Sequence, residues 1–270
     1  MTTYIDYGAS PLHQGSRSRT GDQVDRQVVH DLLAVLGDCR LLWLPNLTDT
    51  TTSTERSRHA GTITWSESLA SWDFARTRLG SGVAVAFNGT DEEGDVPDAD
   101  RLSFGDGAAD QGFSVGALIR PDGSLVSADI LAKESSATAE EWRLGLSGAG
   151  HPTFILTDES ASATLARRDA TALSADTWVL LVCTYDGSGA AAGINVYKDA
   201  ALVDDTDDSS GTYEAMENTA ALVHIGARYA TKQRFFDGSM ALAFVTARVL
   251  GTDDLWTLKE LANSYFGLSL

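Results

Sequence analysis

Three acids in Glu93-Gly94-Asp95-Val96-Pro97-Asp98 stand at a spacing that could aim carboxylates into one cleft. Two carboxyl groups flanking a glycosidic bond can act as nucleophile and acid, which is the chemistry of glycoside hydrolysis. Here an Asp takes the place of the acid, and Pro97 interrupts the strand that would present alternate side chains together. Catalysis is therefore not expected. No Gly-x-Ser-x-Gly elbow, His-Glu-x-x-His helix or glycine-rich phosphate loop occurs. His13, His30, His59, His151 and His224 are scattered singly, with no Cys or His partner at ligand spacing, and His224 reads as a strand residue of the core. Asp49, Asp91, Glu92 and Asp95 offer hard oxygens, but without a spaced ligand loop they read as a solvated acidic rim. Neither a metal nor a cofactor is expected. Asp204-Asp205 and Asp207-Asp208 read as a charged hairpin tip. Sugar recognition by stacking is the remaining chemistry. Tyr229 and Phe235 flank a polar tip, and Trp142 is a third candidate, among aromatics whose default place is the core.

The elements that would hold these residues are mostly strands. In GFSVGALIRP, Phe113, Val115, Ala117 and Ile119 share one face. TWVLLVCTY is apolar on both faces, as a central strand covered on both sides would be. DILAKE, EWRLGLSG, HPTFILTD, GINVYKDAALV, AALVHIGAR and SMALAFVTARVL read as further strands, separated by Gly, Asp, Asn and Ser. Two helices frame the series. Val24, Val28, Leu32 and Val35 recur at helical spacing between Asp22 and Gly37, and Leu255, Leu258, Leu261 and Tyr265 do so between Thr252 and Phe266. Residues before Gly21 form a polar arm. The spacing predicts an arm and docking helix over 1–38, with Val24, Val28, Leu32 and Val35 facing a partner, and a sandwich over 39–270.

The chain has 270 residues and a formal net charge of -18, with 43% hydrophobic residues. That size suits one large all-β domain. Such an acidic surface is repelled by phosphate backbones and anionic lipid, which argues against nucleic-acid and membrane partners. The two cysteines, Cys39 and Cys183, do not make a disulfide framework. No stretch has the basic head and apolar segment of a secretory leader.

The order of motifs resembles a laminin G-like, or concanavalin A-like, jelly roll over about Cys39 to Leu268. RHAGTITW resembles the family's opening segment, FNGTDEEGDVPDADRLSF its second signature and GFSVGALIRP its third. HIGARYATKQRFFDGSMALAFVTARVL resembles its closing strand pair. In the Tyr197-Lys198-Asp199-Ala200 turn the family's usual glycine is lost. The resemblance implies an all-β, two-sheet antiparallel sandwich with an N-terminal arm plus helix and a short C-terminal helix. It also implies a fold used mainly for recognition. A calcium-binding carboxylate common in the family is absent here, because Asp237-Gly238-Ser239-Met240 is followed by Ala241.

A recognition sandwich of a usually extracellular type without a leader fits a particle assembled in the cytoplasm and released by lysis. The expected role is a non-enzymatic structural protein of a tailed-phage virion, minor tail or capsid-associated. It would be present as a homo-oligomer or in repeated copies among other virion proteins, and could touch host surface polysaccharide. The alternative is a free carbohydrate-binding lectin or adhesin, and a glycoside hydrolase ranks last.

Overall fold

The computed structural model describes residues 21–46, 49–66, 76–123, 125–228 and 234–270. Helix α1 (Gly21–Leu36) leads into β1 (Cys39–Trp43), β2 (Thr52–Thr54), β3 (Thr62–Trp65), β4 (Arg76–Leu79), β5 (Gly82–Asn88) and β6 (Gly94–Val96). Then follow β7 (Phe113–Pro121), β8 (Ala128–Ser136), β9 (Ala139–Ser147), β10 (His151–Asp158), β11 (Ala163–Arg168) and β12 (Val179–Tyr185). The chain closes with β13 (Ile194–Lys198), β14 (Ala201–Leu202), β15 (Thr206–Asp207), β16 (Val223–Ile225), β17 (Asp237–Thr246) and helix α2 (Thr252–Phe266).

Among the described residues these strands make two antiparallel sheets. One has eight strands in the order β14-β13-β12-β7-β17-β5-β4, with β1 also on β17; the other has nine, β15-β11-β10-β9-β8-β16-β6-β3-β2. The expected all-β sandwich with a helix at each end is what the chain forms. Between the sheets lies one apolar core, in which Phe104 stacks on Phe113 at 4.1 Å and Trp43 meets Trp65 at 4.9 Å. Burying each such side chain contributes about 1.5–3 kcal/mol.

The two-faced strand has a second cover. In β12, Leu181, Cys183 and Tyr185 face the intersheet core, while Leu180 and Val182 join a second apolar cluster with both helices. Val28, Leu32 and Leu36 of α1 and Leu255, Leu258 and Ala262 of α2 belong to that same cluster. Polar ties fix α1 further. Tyr265 Oη donates to Asp25 at 2.6 Å, and Arg248 Nη1 donates to the Val35 carbonyl at 2.6 Å. The stripe expected to dock on a partner is therefore corrected: Val28 and Leu32 are buried and Val35 half-buried against the chain's own helix and sheet. The side chain of Val24 and the arm before Gly21 lie outside the described residues.

Cys39 and Cys183 are both buried and free, on opposite sides of the eight-stranded sheet. The turn that lost its glycine still forms, with Asp199 and Ala200 both at positive φ, 50° and 69°. The four aspartates read as a hairpin tip are corrected too. Asp204 pairs with Arg167 at 2.9 Å and Asp208 pairs with Arg168, which ties their segment to β11.

Candidate functional site

Helices cover the outward face of the eight-stranded sheet, so the outward face of the nine-stranded sheet is the one left without a helical layer among the described residues. Strand alternation decides what it shows. One register row, Gly94–Ile225–Leu131–Leu144–Phe154, points into the core. The adjacent row, Asp95–His224–Ala132–Arg143–Ile155–Ala166, points outward.

Two charged groups occupy this outer face. In the first, His224 Nδ1 stands 2.7 Å from Asp95 Oδ1 and 3.7 Å from Glu93 Oε2. Glu93 and His224 are buried, whereas the Asp95 side chain is 33% exposed. Glu93 and Asp95 share a face because they are two residues apart on an extended segment. Hydrogen-bonded pairing of β16 with β6 brings His224 to them.

In the second group, Arg143, Arg228 and Arg234 interleave with Asp129, Glu134 and Glu140. Arg143 Nη1 lies 3.0 Å from Glu134 Oε1, Arg228 Nε lies 2.9 Å from Glu134 Oε2, and Arg228 Nη2 lies 2.9 Å from Glu140 Oε1. Arg234 Nε lies 3.2 Å from Asp129 Oδ2, and its Nη2 donates to the Leu146 carbonyl at 2.8 Å. Burial pushes the Glu134 carboxyl up to about 7, against the pull of Arg143 and Arg228. It also raises the Asp129 carboxyl, against Arg234, and lowers the Arg234 guanidinium. Arg234 holds φ at 60°, a left-handed conformation that costs a non-glycine residue about 1–2 kcal/mol. Backbone strain of this kind gathers where a side chain must be aimed.

Several residues expected to act do not stand here. Trp142 is fully buried, with Nε1 donating to the Leu102 carbonyl at 3.0 Å, so the sugar platform expected of it is corrected to a core role. Phe235 is half-buried beside Arg234, and Tyr229 lies outside the described residues. Glu92, expected in a solvated rim, is instead buried, and its carboxylate accepts the Asn88 N–H at 2.5 Å. Asp98 turns away from Glu93 and Asp95. It binds the buried Lys133 Nζ at 2.7 Å, which also lies 3.3 Å from Glu141.

The outer-face charges went unnoticed in the sequence although part of their signal was present. Glu134 in DILAKE sits out of phase with Leu131, and Arg143 in EWRLGLSG with Trp142 and Leu144, which face the core; Asp129 and Glu140 lie beside shifts in the β8–β9 register that simple alternation does not reveal.

A family model described as the Concanavalin A-like lectin/glucanases superfamily matches residues 88–255. No curated protein matches the chain in sequence. Among solved structures, the chain is similar to Domain 4 of AbnA, a GH43 extracellular arabinanase from Geobacillus stearothermophilus, in complex with arabinotriose. That likeness has a TM-score of 0.57 at 14% identity and covers 82% of this chain and 98% of that one. The botulinum neurotoxin serotype D ligand binding domain in complex with N-acetylneuraminic acid gives 0.60 at 11% identity, covering 85% and 52%. The binding domain of Paraclostridial Mosquitocidal Protein 1 gives 0.59 at 10% identity, covering 83% and 52%. The chain thus spans about half the length of these two toxin domains.

Proposed function

Because the chain belongs to the concanavalin A-like lectin/glucanase superfamily, we propose that it is a non-catalytic glycan-recognition module that binds sugar on the outer face of its nine-stranded sheet. The observation that carries this reading is the set of interleaved Arg and carboxylate side chains on the one sheet face without a helical cover. Each is held by its neighbours before any ligand arrives. Asp129 and Glu134 are buried and fix the arginines, while Arg228, Arg234 and Glu140 keep part of their surface exposed and can donate to and accept from sugar hydroxyls with little ordering cost. The arabinanase domain with arabinotriose and the neurotoxin domain with N-acetylneuraminic acid support a sugar as the ligand class. A binding rather than hydrolytic role is supported by Asp98, whose carboxylate is engaged by Lys133 instead of joining Glu93 and Asp95.

The test is calorimetric titration against arabinan, β-glucan and sialylated oligosaccharides, with reducing ends assayed in parallel. Binding without release of reducing ends is expected. Ile155→Trp, which places a bulky ring on the outer face, should weaken it roughly 10-fold or more, about 1.4 kcal/mol. Trp256→Ala, on the exposed side of α2, should leave it unchanged. No binding to any of the three, or equal losses from both variants, would overturn the reading.

Display on a phage particle is a separate proposal and needs an anchor other than the one expected. The apolar face of α1 is committed to the chain's own core, so docking would fall to residues before Gly21.

A further inference from the structure

Glu134 and Glu140 share two guanidiniums. Arg228 reaches Glu134 Oε2 through Nε and Glu140 Oε1 through Nη2, both at 2.9 Å. Arg143 Nη1 lies 3.0 Å from Glu134 Oε1 and 4.0 Å from Glu140 Oε2. We propose, resting on the glycan reading above, that this cluster takes a carboxylate-bearing sugar and that binding draws a proton onto Glu134, so affinity rises as pH falls.

Depth decides which groups a ligand meets. The side chains of Asp129 and Glu134 are fully covered, whereas Arg143, Arg228 and Arg234 keep 13, 17 and 24% of theirs exposed and Glu140 keeps 15%. An arriving sugar thus meets three guanidinium edges and one carboxylate. The forked N–H groups of a guanidinium match the two oxygens of a carboxylate, and such charge-assisted bonds are stronger than those to a neutral hydroxyl.

Charge then couples the ligand to a proton. With every group ionised, three guanidiniums face three carboxylates, and a further anion meets cations already matched. Protonating Glu134 removes one of the two carboxylates that Arg143 and Arg228 share, and the sugar carboxylate takes over its charge. Burial pushes the Glu134 carboxyl up to about 7, so this exchange falls near neutral pH. An ordinary carboxyl on the sugar stays ionised there. The linkage is reciprocal: the protonation that favours the anion is favoured by it to the same degree.

The charged groups facing Glu134 come from each element around it. β9 supplies Glu140 and Arg143, the stretch after β16 supplies Arg228, the stretch before β17 supplies Arg234, and β8 itself supplies Asp129. The β10–β11 turn adds Glu159, whose carboxylate accepts the Glu140 N–H at 3.0 Å. Two charged neighbours turn elsewhere. Lys133 binds Asp98 and Glu141, and His224, opposite Ala132 on β16, lies 2.7 Å from Asp95. Asp129, also raised by burial, is the other carboxyl that can take up a proton here. Replacing Glu134 alone separates the two.

The full chain is titrated calorimetrically with a sialylated oligosaccharide and with an oligogalacturonate, from about pH 5.5 to about pH 8, in pairs of buffers with different ionisation heats. Arabinan serves as the neutral control. At least one acidic sugar should bind with proton uptake and lose roughly 5-fold or more in affinity across that range, while arabinan shows no such trend. Glu134→Gln is uncharged at every pH. It should take up less proton, flatten the profile and bind the acidic sugar roughly 5-fold more tightly than the wild type near pH 8. A residue that only supports the fold would instead weaken binding at every pH. If the variant does not fold, the paired-buffer heats of the wild type decide alone. Three results overturn this inference and leave the glycan reading standing: binding confined to arabinan, acidic-sugar binding without proton uptake, or an unchanged pH profile in Glu134→Gln. Failure of all three sugars to bind at any pH overturns both.

Discussion

Glu134 sits buried between Arg143 and Arg228, and its carboxyl is pushed from an ordinary 4.5 up to about 7. Between those two values the folded chain holds a proton that the unfolded chain has released. Stability therefore falls as pH rises through that window; the cost is absent below the unfolded value and complete above the folded one. Asp129 and Glu141, also raised by burial, act in the same direction. Glu134→Gln removes one contributor. Urea midpoints measured from about pH 5 to about pH 7 should decline less steeply in the variant than in the wild type, and parallel profiles would contradict the account. At this scale the sequence was readable where alternation alone decides orientation. It misled at Trp142, because an indole that could stack on a sugar and one that fills a core look alike until the register is known. That register pairs Trp142 with Leu156 and Lys133, on the inward side of the sheet.

Helix α1 raises the same ambiguity one level up. A 16-residue amphipathic helix shows that an apolar stripe must be covered, and not by what. Here α2 and the eight-stranded sheet supply the cover, because the outward residues Leu42, Leu118, Val182 and Phe244 need burial as much as the helix does. Leu32→Ala should therefore destabilise the isolated chain by about 2–5 kcal/mol in denaturant unfolding. A change near zero would restore α1 to the role of a free docking element. Long strands and α2 were legible from periodicity, and α2 occupies the expected Thr252–Phe266. β11, ATLARR, was not: two consecutive arginines blur its alternation, and both are held by Asp204 and Asp208 from a distant segment.

For the molecule as a whole, the sandwich was legible from the order of its motifs, since each turn signal and apolar run constrains the next. The site was not. Its central pair, His224 and Asp95, is separated by 129 residues, and only the pairing of β16 with β6 makes them neighbours. The net charge of -18 keeps nucleic acid and anionic lipid poor partners, and no helix among the described residues is long and apolar enough to cross a membrane. What distinguishes the two sides is cover: helices on one sheet, and on the other buried and part-buried charge without a helical layer among the described residues. The most direct measurement is amide chemical-shift mapping of ¹⁵N-labelled protein with a bound oligosaccharide. The account predicts that the largest shifts fall on Asp95, Ala132, Arg143, Ile155 and His224. Shifts confined to α1, α2 and the strands beneath them would contradict it.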